Sequence, residues 1–358
     1  MTTEGKFNFI AHEQNAVSEY LKIRPFHVDL CAVMKRIIED ILKRRVIQIH
    51  SVEARAKDPV SFGKKAAKPS DADPDKPKYT NPLNEITDLS GIRIITFFPK
   101  TLISIDEMLL DEFSIIDKID KEEKLIQEET FGYKSVHYLV KLNENRIQLP
   151  EYHKYKDAIA EIQVRTILQH AWAEIEHDIQ YKSSASIPTD IKRRFIALAG
   201  LLEIADKEFQ EIQDDDRALT NRLTDLIMKG DISDVEIFPA SLKAYLTKML
   251  GPDGRVSDWS YDWTVRLLKK LGFKTLRQID ECIRNYSGDQ ISKIITGSKK
   301  GQLARFEYML LAGMGEKYIQ RHIYADEPWY GTWPRRCIEM LSEKGIVIGE
   351  YDPISRGK

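Results

Sequence analysis

Apolar residues recur at helical spacing over the first forty or so positions, and the pattern predicts two helices, at 12–24 and 27–44. Leu30, Val33, Met34, Ile37, Ile38 and Leu42 make the core face of the second. The start of VIQIHSVEARAK reads as a strand. Asp58 and Pro59 then suit the N-cap and first residue of a short helix. The stretch PSDADPDKPKYTNP, 69–82, mixes proline with charge and is expected to be a solvated loop. Beyond it the period falls to two, predicting strands near 90–97, 113–118, 133–142 and 157–165, with a helix near 101–112.

EIQVRTILQHAWAEIEHDIQYK, 161–182, changes period partway along. Glu161, Gln163 and Arg165 alternate with Ile162 and Val164, as on a half-buried strand. From Thr166 onward Leu168, Trp172, Ile175 and Ile179 form one helical stripe. Further helices are expected at 188–212 and 214–229. The pattern breaks at MKGDISD, 228–234, which sets the expected domains at 1–230 and 235–358. The second of these is mainly helical and carries four of the five tryptophans. LLKKLGFKTLRQIDECI, 267–283, reads as helix, glycine turn, helix, an ordinary αα-hairpin that bears only a weak likeness to helix-hairpin-helix DNA-binding elements. The chain is therefore of α+β class with a mainly α-helical C-terminal domain.

Composition narrows the functional classes. Across 358 residues the chain is 42% hydrophobic and 31% charged with a formal net charge of −2, which argues against a globally basic nucleic-acid binder. Three scattered cysteines, Cys31, Cys282 and Cys337, form neither a disulfide framework nor a zinc pattern. No secretory signal or long apolar run is evident, and a cytoplasmic location is expected.

Three further segments hold candidate chemistry. RAKDPVSFGKK brings Arg55, Lys57, Ser61, Lys64 and Lys65 to a helix start, a setting suited to a polyphosphate, although a solvated basic helix end has the same appearance. DLSGIRI offers Asp88 at a strand mouth, where an acid can hold Mg²⁺ on phosphate oxygens. On a straight strand Asp88 and Arg93 face opposite ways, so joint use requires a turn or bulge at Ser90-Gly91. In TFGYKSVHYLV, Tyr133, Ser135 and His137 share one face, and the tyrosine is placed either to stack on a base or to pack. His170, Glu174 and His177 share a helix face but lack the order and the further ligand of a zinc site.

Together, RAKDPVSFGKK, DLSGIRI, GYKSVHYLV and EIQVRT…AWAEIEHDIQYK resemble, in order and spacing, the synthetase domain of the RelA/SpoT family over roughly residues 25–215. The resemblance implies a mixed β-sheet flanked by helices, related to nucleotidyltransferases. It also implies transfer of pyrophosphate from ATP to the 3′-hydroxyl of GDP or GTP, giving (p)ppGpp. Carried over residue by residue, Arg55 and Arg93 sandwich the adenine, and Lys57, Ser61 and Lys65 hold the ATP phosphates. Asp88 and Glu161 bind Mg²⁺, with Glu161 also taking the proton of the attacking hydroxyl. Tyr133 stacks on the guanine, while Lys134, His137, Gln163 and Arg165 line the acceptor side. Glu176, His177 and Lys182 support the site. His170 stands where related small synthetases often have asparagine, which leaves the acceptor base open.

Two other readings stay in view. One is a toxic relative that pyrophosphorylates another 3′-hydroxyl, such as the CCA end of tRNA or an adenine nucleotide. The other is a non-catalytic nucleotide-binding regulator. The C-terminal region suits an oligomerisation module, a sensor or a built-in inhibitor, and its pattern does not choose among them.

Overall fold

A computed structural model describes residues 7–120, 135–182, 189–253 and 257–355. The chain forms two compact units, 1–212 and 213–358.

In the first unit, α1 (Phe9–Arg44) is a single helix with Pro25 inside it, where the apolar pattern predicted two. An interior proline costs a helix about 3 kcal/mol. Here both halves are anchored by burial. Ala16 and Tyr20 pack with Phe62, Ala66, Ile86 and Leu89, while Leu30 to Leu42 lie in the main core. The helix is followed by β1 (Ser51–Ala56), which begins later than VIQIH suggested. Next come α2 (Pro59–Ala66), α3 (Pro82–Glu85), β2 (Ser90–Thr96), α4 (Pro99–Glu112), β3 (Phe113–Asp120) and β4 (Val136–Leu142). Two short helices, α5 (Glu144–Ile147) and α6 (Pro150–His153), lead to β5 (Ala160–Thr166), which runs straight into α7 (Ile167–Lys182).

The five strands form one mixed sheet of order β1-β2-β5-β4-β3. β2 and β5 are parallel and the other neighbours antiparallel. Period-two alternation divides its faces. Ile92, Ile94, Ile162, Val164, Tyr138 and Val140 join Met34, Ile38, Met108 and Leu109 of α1 and α4 in the core. Polar partners on the same strands are left for the opposite face.

Helix α8 (Thr189–Lys229) is continuous where two helices were expected, and the division between the units falls inside it. The junction of the two expected helices at Gln213 and the charged run 214–217 after it contain neither glycine nor proline, so nothing there interrupts the backbone.

The second unit continues with α9 (Pro239–Leu250), α10 (Asp258–Leu271), α11 (Leu276–Ile283), α12 (Gly288–Thr296), α13 (Gln302–Met314), α14 (Glu316–Arg321) and α15 (Thr332–Glu343). These close around a core of their own that includes Leu246, Leu268, Ile279, Phe306, Leu310 and Leu341. The αα-hairpin is present: α10 ends on Gly272 at φ 100°, and Thr275 caps α11 by a reciprocal bond pattern with Gln278. All three cysteines are buried and free. Among the described residues no helix is long and apolar enough to cross a membrane.

Candidate active site

Register pairs place the polar side chains in rows across the strands. Arg55, Gly91 and Glu161 form one row over β1, β2 and β5. Glu53, Arg93, Gln163 and His137 form the next, which extends to β4. Paired residues on neighbouring strands point to the same face. Except for His137, these side chains line a cavity of about 310 Å³, whose wall is completed by Lys57, Asp58, Ser61 and Asp88 from the segments flanking β1, α2 and β2. Asp88 sits in the turn ahead of β2, not on the strand. Strand parity does not apply to it there, so it shares the cavity with Arg93 while β2 pairs regularly through Ser90 and Gly91.

Asp88 is held by two lysines. Lys57 Nζ donates to Oδ2 at 2.6 Å and Lys65 Nζ to Oδ1 at 3.1 Å. Burial raises the Asp88 carboxyl, and the two ammonium groups outweigh that, leaving it below the usual carboxylate range. Lys65 therefore belongs to the site through Asp88, although it is not part of the cavity wall itself.

Glu161 heads a hydrogen-bonded chain that answers why one strand face carries an acid, an amide and a base. His137 Nδ1 donates to Glu161 Oε1 at 2.5 Å, and Gln163 Nε2 donates to the same oxygen at 3.2 Å. Arg165 in turn donates to Gln163 Oε1 at 2.9 Å. A carboxylate only accepts, so the shared proton sits on His137 Nδ1, with Ser135 Oγ 2.9 Å from Nε2. Oε2 of Glu161 accepts no hydrogen bond among the described residues. Burial raises the Glu161 carboxyl; its bond to His137 and that ring's charge more than reverse this, against a smaller upward push from Asp88.

Arg165 is buried, and its Nε has no partner among the described residues. Burial, then the neighbouring Arg93, lower its pKa. Arg93 itself reaches Glu174 on α7 at 2.8 Å and Glu53 at 4.0 Å. The start of α2 carries the N-cap expected of it. Asp58 caps it, accepting the Ser61 N–H at 2.9 Å, so what Ser61 offers the cavity is its hydroxyl group.

Of the remaining sequence candidates, His170 lies on α7 with Nδ1 3.9 Å from Glu174, outside the cavity wall. Tyr133 and Lys134 fall outside the described residues. Among the described residues no group of three or more His, Cys, Asp or Glu side chains gathers as a metal cluster.

Glu53 and Asp58 were not singled out as site residues, and Glu174 entered only through the rejected zinc set. All three take part in the local charge pattern. A buried network behind β5 also went unforeseen. Thr166 Oγ1 donates to Asp206 on α8 at 2.7 Å, and Gln169 accepts from the Thr166 N–H at 2.8 Å. Nothing local links Thr166 to a residue so far along the chain, whereas Glu174 lies on α7, directly after β5, and was findable there as a counter-charge for a strand arginine.

Comparison with known proteins places this cavity in a family context. Residues 54–186 match the region found in RelA/SpoT proteins. The chain is 31% identical over 137 residues to GTP pyrophosphokinase YjbM of Bacillus subtilis, covering 37% of this chain and 61% of that protein. It is 30% identical over 129 residues to GTP pyrophosphokinase YwaC of the same organism, covering 36% and 58%. The chain thus spans about three-fifths of the length of these curated relatives. Among solved structures, small alarmone synthetase 1 from Bacillus subtilis aligns at 24% identity and a TM-score of 0.46, covering 56% of this chain and 98% of that one. A GTP pyrophosphokinase family protein from Streptococcus pneumoniae aligns at 25% and 0.45, covering 56% and 96%.

Proposed function

We propose that this chain, whose residues 54–186 are homologous to the RelA/SpoT region, is a GTP pyrophosphokinase that moves pyrophosphate from ATP to the 3′-hydroxyl of GDP or GTP. The observation that carries the proposal is the convergence of Asp88 and Glu161, from segments far apart in the chain, on one cavity edged by Arg55, Arg93 and Lys57. Phosphoryl-type transfer asks for positioning and charge neutralisation more than for covalent chemistry, and this wall supplies both.

In this reading Arg55 and Arg93 flank the adenine, and Lys57, Lys65 and the Ser61 hydroxyl take the phosphates. The acceptor ribose lies on the Glu161 side, with Gln163, Arg165 and His137 beyond it. The acceptor 3′-oxygen forms a bond to the β-phosphorus of ATP as the bridge to the α-phosphate breaks and AMP leaves. Glu161 is the proton acceptor, and its unengaged Oε2 suits that role. His137, Gln163 and Arg165 hold the carboxylate in place and keep it ionised.

The two carboxylates also fit Mg²⁺, a hard cation that takes oxygen ligands and fills its shell with phosphate oxygens and water. When bound it would neutralise charge on the transferred group. Lys57 and Lys65, which hold Asp88 in the free protein, would then turn to the phosphates. The nucleotidyltransferase-like ancestry of the fold and a part in the stringent response belong to the same proposal.

Purified protein incubated with Mg²⁺-ATP labelled in its terminal phosphates and, separately, GDP, GTP, AMP or deacylated tRNA tests it. Label on GDP or GTP is the expected outcome. Label only on tRNA or AMP assigns the chain to the toxic relatives, and no transfer to any acceptor leaves a nucleotide-binding regulator.

A further inference from the structure

The second unit holds a cavity of about 290 Å³ with an unusual wall. Trp263, Tyr308, Tyr318 and Tyr330 lie in or near its interior, while Tyr324, Trp329 and Trp333 are exposed at its rim, at 38%, 63% and 52%. Trp263, Tyr318, Tyr324, Trp329 and Tyr330 are connected around His322, and Tyr308 pairs separately with Trp333. His322 stacks on Tyr330 at 4.2 Å and 11°, Tyr324 lies 5.5 Å from Trp329, and Tyr308 lies 6.0 Å from Trp333. Rings that served only as core would be covered. Two exposed tryptophans at the mouth of a cavity are a costly arrangement in water unless something seats on them.

Among the described residues, the acid in the wall is Glu307, half-buried on α13. It makes no hydrogen bond or ion pair among the described residues, and burial pushes its carboxyl up to about 7. The imidazole of His322, among the described residues there, brings no opposing charge. His322 Nδ1 accepts the Tyr324 N–H at 3.1 Å, and burial holds the ring down at about 4. Around Glu307 the other titratable groups are Tyr308 on its own helix, Tyr318 on α14, Tyr330 on the segment before α15 and, beyond them, Cys337 on α15. All four are raised by burial and uncharged near neutrality. The cavity therefore presents aromatic rings, whose faces are electronegative, and one carboxylate awaiting a counter-charge.

We propose that this cavity is a binding site for a small quaternary-ammonium cation, enclosed by the aromatic wall and opposite Glu307. An anion or a nucleotide would meet the carboxylate without a cation to offset it. A plain ammonium loses strong hydration on entering such a wall, whereas an alkylated one is weakly hydrated and is attracted to ring faces. The volume lies at the small end of ligand pockets, which suits a choline-sized group.

The full-length chain titrated with choline or tetramethylammonium, followed by tryptophan fluorescence and calorimetry, tests the site. Saturable binding is expected. It should be at least about tenfold weaker for 3,3-dimethylbutan-1-ol, the neutral isostere of choline, and for choline on Glu307→Gln. Trp333→Ala, at an exposed position, should weaken choline similarly while leaving the circular dichroism unchanged. Because the cation favours ionised Glu307, affinity should rise between about pH 6 and pH 8 in the native protein and stay flat in Glu307→Gln. Absence of saturable binding, equal binding of the isostere, or an unaltered Glu307→Gln would each overturn the assignment.

Discussion

Gly91 occupies the cavity floor between Arg55 and Glu161, and a Cβ there would meet only the Arg55 carbonyl oxygen, at 3.7 Å. The site, not the fold, is what a larger residue at this position would disturb. Gly91→Val should leave thermal stability within about 1 kcal/mol, since a branched residue suits a strand, yet lower ATP affinity by tenfold or more by filling the floor. Melting temperature and nucleotide calorimetry check the two halves separately, and normal ATP affinity would show that the nucleotide does not lie over β2. Glu161→Gln keeps the size of the side chain and removes its basicity. Turnover should fall by roughly 10²–10⁴-fold with nucleotide binding largely retained, read from kcat and from equilibrium titration. Undiminished kcat would remove Glu161 as proton acceptor.

At the scale of elements, the exit of α1 is a helix cap made with an unfavourable residue. Ile47 N–H reaches the Leu42 carbonyl at 3.0 Å and Val46 N–H the Lys43 carbonyl at 3.2 Å. Leu42 lies in the core and Ile47 packs against that cluster, and the two backbone bonds make a Schellman motif. The position that favours glycine is held by Val46 at φ 56° and 81% exposure. A branched side chain there costs about 1–2 kcal/mol, and no packing is lost by removing it. Val46→Gly should therefore stabilise the protein by up to about 1 kcal/mol after the added freedom of the unfolded glycine is deducted, seen as a higher denaturant midpoint. This cap also explains why β1 starts late. The chain first completes the left-handed exit and a short connector, so Ile47 and Ile49 pack against the core without pairing in the sheet.

Acid sensitivity is a property of the whole molecule, because it sums carboxylates on several elements. Asp88 and Glu161 in the cavity, Asp106 against Lys118 and Tyr138, and Glu112 against Arg146 all titrate below their ordinary values, with burial opposed by stronger cationic or hydrogen-bond partners. A carboxyl lowered on folding stabilises the native state fully above its unfolded value and loses that contribution as pH falls through its native one. The contribution of these four carboxylates should thus be constant from neutrality down to roughly pH 5 and be lost steeply below about pH 4, while Glu307, held protonated by burial, and His322, held neutral, change stability in opposite directions between pH 7 and pH 5. Denaturant midpoints across that range, in the native protein and in Asp88→Asn, measure the site's share. A midpoint unchanged from pH 5 to about pH 3 would contradict these shifts.

Much of this was written along the chain. The period-two segments correspond to strands β2 to β5, and the αα-hairpin lies where glycine and apolar spacing put it, because alternation and turn chemistry act over a few residues. Arg55, Lys57, Ser61, Asp88, Arg93, Glu161 and Gln163 were each visible as chemistry. Their convergence was not. It depends on the strand order β1-β2-β5-β4-β3, which sets Gly91 beside Glu161 although seventy residues separate them, and no local pattern encodes that pairing. The same limit hid the Thr166–Asp206 bond and the aromatic cavity around Glu307. The continuity of α1 through Pro25 belongs here too, since burial at both ends of the helix outweighs a local penalty that the sequence states plainly. Residue type and spacing determined which groups were available and which face each would take. Only the tertiary packing decided which of them meet, because that choice is made by hydrophobic contacts between segments remote in sequence.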